Sequence, residues 1–143
     1  PGLHRLLGLR ARLGVRNCGH SLAKALDPCP GRSLRLIPVT HPEYFDRMDA
    51  LVRAEQGTAL VFRGVEGEAC VNPRRRPLLR SYLDGVLTEL TEQGDSVPLP
   101  DDYPDTADIA INAGLVDALM AGRRPVPLPM RDLFERVVTL AGT

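Results

Sequence analysis

The chain is 143 residues long, 43% apolar and 25% charged, with 18 basic and 18 acidic side chains and only 4% aromatics. That length suits one domain with a real core, and the apolar fraction excludes a disordered tail. No apolar run approaches the roughly 20 residues of a membrane-crossing helix, and no charged segment leads into an apolar stretch as a secretory signal would.

In chain order, residues 3–13 set Leu3, Leu6, Leu7 and Leu13 on one helical stripe, and Arg10 falls on the same stripe. Gly14 is expected to end that helix. Asn17 is a natural cap for a second helix with Cys18, Leu22, Ala25 and Leu26 inward, stopped by Pro28 and Pro30. Ser33–Thr40 reads as a strand, with Leu34 and Leu36 on one face and Ile37 and Val39 on the other. Pro38 places it at a strand end or sheet edge. The turn His41-Pro42-Glu43 leads into a helix over 43–54 that buries Phe45, Met48, Leu51 and Val52 and is capped by Gly57. Thr58–Arg63 is the next strand. One strand on each side of a short helix is a βαβ unit, so the pair is expected to be parallel.

Beyond Gly64–Glu68, residues 69–71 suggest a short strand. Two apolar runs flank Asp84-Gly85, which reads as a hairpin over 78–91, with a helix through the same stretch as the rival. Residues 94–104 form a Pro- and Asp-rich loop. A helix opening at Thr106 is expected to bury Ile111, Leu115, Ala118 and Leu119 and to close at Gly122. Arg123–Pro129 reads as extended, and Met130, Leu133, Phe134, Val137, Leu140 and Ala141 mark a last amphipathic helix. The fold class is therefore α/β, a small, partly parallel sheet with flanking helices. The chain opens at Pro1, without Met and inside a helical pattern, which predicts a longer polypeptide.

The zero net charge hides a divided distribution. Residues 1–40 carry seven bases against one acid, residues 74–80 add four arginines, and residues 81–111 carry eight acids and no base. One basic and one acidic surface are expected. Lys24 is the only lysine among the 18 bases, and an arginine fork suits phosphates and carboxylates. Cys18, Cys29 and Cys70 form no CxxC pair, which predicts free thiols in a reducing cytoplasm. No GxSxG, Walker loop or zinc signature is present.

The segment Leu9–Pro28, LRARLGVRNCGHSLAKALDP, resembles the anthranilate phosphoribosyltransferase family (glycosyltransferase family 3), whose pattern there is like VRxxLGxRTxFNxLGPLxNP. Arg10, Leu13, Gly14, Arg16 and Pro28 stand at the matching positions. VTHPEY (Val39–Tyr44) matches the family's strand-HPE-helix step, and FRGVEGE (Phe62–Glu68) falls where the family has HGxGLDE. The hairpin at Leu83-Asp84-Gly85 and the helix holding Asn112-Ala113-Gly114 follow in the expected order. The resemblance implies that residues 1–143 are the C-terminal part of one phosphoribosyltransferase-like domain. The family's N-terminal helical domain, through which it forms homodimers, and its Gly-rich phosphate loop are not in this chain. The chain alone is therefore expected to catalyse nothing.

The departures are specific. The family's Asn in the FN pair is His20 here, its Gly-Pro-Leu is Ala23-Lys24-Ala25, and its Asp-Glu metal pair is Gly67-Glu68, with another carboxylate at Glu66. RNxxHSLxKxLxP together with RGxEGE looks most like the YbiB-type branch, which keeps the fold and is associated with nucleic-acid binding. Two functions follow as expectations. In the first, Arg10, Arg12, Arg16, Lys24, Arg74, Arg75 and Arg76 track a nucleic-acid backbone non-specifically, releasing counterions at each phosphate. Few aromatics are left to stack bases. In the second, the parent protein transfers phosphoribose from phosphoribosyl pyrophosphate to anthranilate or a related aromatic acid. Arg10 would then hold the acceptor carboxylate, and Glu66 and Glu68 would hold Mg²⁺. For Arg10 a structural role remains the alternative, and whether the parent is an enzyme stays open. His20 and Lys24 share a helical face, but such spacing is common, and His41 reads as a structural turn residue.

Overall fold

The structure, a computed structural model, describes residues 2–15, 17–27, 29, 31–65 and 68–142, and of Ser21 and Leu22 the backbone alone. The order is α1 (Gly2–Leu13), α2 (Cys18–Ala25), β1 (Arg35–Val39), α3 (Glu43–Ala54), β2 (Ala59–Arg63), β3 (Leu79–Leu83), β4 (Val86–Thr91), α4 (Ile109–Met120) and α5 (Leu128–Gly142). The strands form one four-stranded sheet in the order β1-β2-β3-β4. β1 and β2 are parallel, with Arg35 opposite Ala59 and Val39 opposite Arg63. The other two pairings are antiparallel. Pro38 lies on the edge strand β1, where a missing N–H costs least.

Period-two alternation sends successive side chains to opposite faces, and each face has its own helix. Ile37, Val39, Ala59, Val61 and Tyr82 meet Phe45 and Val52 of α3 on one side. Leu60, Phe62 and Leu79 meet Val71 and Leu140 on the other, with Met130, Leu133 and Val137 of α5 packed against them. β2 is covered on both faces, so Ala59, Leu60, Val61 and Phe62 are all fully buried, and only Arg63 at its end reaches solvent. The edge strand β4 is largely exposed.

Arg35 is buried at the start of β1. Its Nη1 donates to Ala25 O at 2.9 Å and to the Glu55 carboxylate, so it ties the end of α2 to the end of α3. This explains Gly57 differently from the cap expected of it. The left-handed residue that ends α3 is Gln56, at φ 51°. The N–H groups of Gln56 and Gly57 donate to Arg53 O and Val52 O, a Schellman closure. Gly57 is required by proximity: a Cβ there would stand 2.9 Å from Arg35 Cζ and overlap Nη2.

The hairpin forms as the Asp-Gly pair predicts. Asp84 and Gly85 adopt φ 48° and 77°, both positive as a type I′ turn needs, and the rival helix is absent. Residues 69–71 form no strand, because the segment closes on itself, Val65 N–H donating to Cys70 O. Helix α4 begins three residues after Thr106, with Asp108 as its cap, its carboxylate accepting from Ile111 N–H at 3.0 Å. Of the inward face expected of α4, Leu115, Ala118 and Leu119 are half-buried and Ile111 is exposed. No residue of α4 is buried, and Ile109 and Met120 are 86% and 84% exposed. Leu13, Cys18 and Leu26, also expected inward, are exposed, as are Phe134 and Ala141. Leu22 of the same expected face, like Pro28 and Pro30, lies outside what is described. The acidic stretch is partly neutralised by bases from the C-terminal third, Glu89 by Arg136 and Asp102 by Arg124 at 3.1 Å.

Candidate functional site

β2 delivers Arg63 to the carboxyl end of the parallel pair, the place where open α/β sheets usually build ligand sites. Its N–H donates to Leu78 O, which fixes the end of the strand. Arg74, Arg75 and Arg76 lie on the long connection from β2 to β3, and this connection is not loose. Asn72 Oδ1 accepts from Arg74 N–H at 2.8 Å, and Arg75 N–H donates to Asn72 O. Arg74 O accepts from Val97 N–H at 2.8 Å, Arg76 O accepts from Gly94 N–H, and Arg75 bridges to Ser96. The three arginines are thus pinned along the segment that follows β4.

The result is a cleft of about 310 Å³ lined by Arg63, Gly64, Asn72, Arg75, Arg76 and Gln93, among others. A second hollow of about 320 Å³ shares Arg63 and Gln93 and continues past Pro42 and Asp46 to Arg80. Arg80 is already committed. It pairs with Asp49 and, at 3.7 Å, with Asp46, and stacks over the Phe45 ring at 5.2 Å. Burial works against its charge, the two carboxylates more than offset that, and its pKa is held above the ordinary value. Arg76 has one partner, Asp132 at 3.5 Å. Among the described residues no carboxylate pairs with Arg63, Arg74 or Arg75. The described lining offers guanidinium and amide donors, groups suited to holding an anion.

The residues expected from the sequence divide into groups. Arg75 and Arg76 line the cleft, and Arg74 is beside it. Arg10 and Arg12 stand exposed on α1, a helix with no buried residue that packs on α2. Lys24 is half-buried and adjoins Ala25, which Arg35 holds at the opposite end of β1 from the cleft. Glu68 is exposed in a turn, its N–H donating to Val65 O at 2.8 Å. Arg16 and Glu66 lie outside the described residues, among which no group of three metal-ligating side chains converges. His20 is used locally: its Nδ1 accepts from Asn17 N–H while Asn17 Oδ1 accepts from Gly19 N–H, a capping box that opens α2. Arg63, Asn72 and Gln93 were not foreseen. An arginine ending an otherwise apolar strand just before a glycine was the available signal for Arg63.

No protein-family model matches the sequence. The uncharacterized protein YbiB of Escherichia coli (strain K12) is 35% identical over 128 residues, which is 89% of this chain and 40% of that protein. The chain is similar to YbiB. A match leaving only about a tenth of the chain outside it takes in the whole sheet and the cleft at its carboxyl end. The chain spans well under half of YbiB's length, so what a YbiB-like protein does as a whole is a matter of proposal. Among the described residues no helix is long and apolar enough to cross a membrane.

Proposed function

We propose that this chain is part of a YbiB-like protein that uses a phosphoribosyltransferase-like scaffold to bind nucleic acid non-specifically through its phosphates. The observation that carries the reading is the convergence of Arg63, Arg75 and Arg76 on one cleft, with Arg63 and Arg75 lacking a carboxylate partner among the described residues. Arg74 extends this surface along the outside, and Arg10 and Arg12 supply a second basic face on α1. A cytoplasmic location and a homodimer of the full-length protein belong to the same reading.

The cleft's position beyond the carboxyl end of a parallel pair favours a second reading, a phosphoribosyltransferase acting on anthranilate or a related acid. Arg10 would hold the acceptor's carboxylate, and Glu66 and Glu68 would hold Mg²⁺ and so neutralise the pyrophosphate leaving group. A titration with labelled single-stranded DNA separates the two. On the first reading, three phosphate contacts make the affinity fall roughly twentyfold between about 50 and about 200 mM salt. That binding requires neither Mg²⁺ nor phosphoribosyl pyrophosphate. Absent or salt-independent DNA binding, with saturable Mg²⁺-dependent binding of phosphoribosyl pyrophosphate, would replace it with the second.

A further inference from the structure

We infer that the cleft at the end of β2 takes a phosphomonoester, and that on nucleic acid it holds a terminal phosphate rather than an internal one; this rests on the phosphate-binding reading above. The argument is one of charge and shape. Three arginines line one half-open cleft of about 310 Å³, and Asp132 partly offsets Arg76. Among the described residues no carboxylate offsets Arg63 or Arg75, so the cleft carries about two positive charges that these residues leave unmatched. An internal phosphodiester carries a single negative charge, and a run of them is best met by bases spread along a track. A phosphomonoester carries about −1.5 to −2 at neutral pH and has three terminal oxygens to accept hydrogen bonds. It matches the charge of the cleft and can be held by two arginine forks at once.

The local structure supports a point site rather than a track. The backbone of Arg74–Arg76 is fastened at Asn72, Gly94, Ser96 and Val97, and Arg63 ends a fully buried strand. These anchors fix the backbone from which the arginines project before the ligand arrives, which lowers the ordering cost of binding. The hollow that continues from Arg63 and Gln93 toward Pro42 gives the attached nucleoside somewhere to lie. Beyond it Arg80 is neutralised by Asp46 and Asp49, so no second phosphate site follows along that line.

The chemistry can come from two sources, a nucleic-acid end or a free phosphorylated metabolite, and the test separates them. The 143-residue chain is titrated with one short oligonucleotide in four forms: unphosphorylated, 5′-phosphorylated, 3′-phosphorylated, and with the 5′-phosphate capped as its methyl ester. Glycerol phosphate and inorganic phosphate are the free ligands. The expected result is binding on the order of tenfold tighter for one phosphorylated end than for the hydroxyl form. The methyl ester, which keeps the bulk but loses a charge, behaves like the unphosphorylated strand. Arg63→Ala and Arg75→Ala, both at exposed side chains, remove that preference. Saturable binding of glycerol phosphate without binding of any oligonucleotide keeps the monoester site and overturns the nucleic-acid reading. Equal, salt-sensitive binding of all four strands overturns the monoester site and leaves the nucleic-acid reading standing.

Discussion

At the scale of single residues, two buried polar side chains set constraints that the hydrophobic pattern alone does not show. Arg35 occupies a core-facing strand position because Ala25 O and the Glu55 carboxylate meet it there. Gly57 leaves room for its guanidinium, so Gly57→Ala is expected to lower stability by about 1–3 kcal/mol, the range for overpacking, as read by chemical denaturation. An unchanged midpoint would show that Arg35 can move aside at no cost. Tyr82 is the second case. Its hydroxyl and Asp49 Oδ1 are both buried without a partner in good hydrogen-bonding geometry, although the two side chains lie close together. Burial pushes the phenol up to about 12, with the nearby Asp49 carboxylate acting in the same direction. A folded pKa above the unfolded value of 10.0 means that the contribution is fully present below pH 10.0 and is lost as pH rises toward about 12. Tyr82→Phe should therefore flatten the stability curve above pH 10.0; if variant and parent fall in parallel there, Tyr82 is not the group responsible.

At the scale of elements, legibility follows the strength of local chemistry. The βαβ unit was readable because Leu34–Val39, apolar but for Arg35, and Ala59–Phe62 flank a helix of clear period. The hairpin was readable because only a type I′ turn puts Asp-Gly at two positive φ angles. A Cβ at Gly85 would also meet Gln56 Cα at 2.9 Å. Gly85→Ala should thus destabilise the domain by at least the roughly 1 kcal/mol of a misfit turn glycine, measurable as a lowered Tm, and a neutral result would mean the turn relaxes into another type. The helices were harder to read. The stripe on α1 and the inward set on α4 were real periodicities, but periodicity does not say whether a partner is present. In this chain the expected set on α4 reaches only half-burial, at Leu115, Ala118 and Leu119, and Ile109 and Met120 at its ends remain in solvent. The site was half legible: Arg75 and Arg76 stood out as a charge run, whereas Arg63, Asn72 and Gln93 are separated in sequence and meet only when the β2–β3 connection folds back on the segment after β4.

At the scale of the whole molecule, the two-faced sheet explains why binding residues gather where they do. Over β1, β2 and β3 the two faces are covered by α3 and α5, so these strands present chemistry at their ends. At the end where β1 begins, Arg35 is spent on structure. At the other end, Arg63 and the pinned Arg74–Arg76 segment are left for a ligand, while the acids of the 81–111 stretch are partly matched by Arg124 and Arg136. The zero net charge therefore coexists with a local excess of positive charge, which is what steers and holds a polyanion. The most direct test is the salt dependence of single-stranded DNA affinity for the parent chain and for Arg63→Ala with Arg75→Ala. The account predicts a log–log slope that becomes shallower by about 0.7 for each arginine removed, with the fold intact by circular dichroism. An unchanged slope and affinity in the double variant would contradict it and move any nucleic-acid contact away from this cleft.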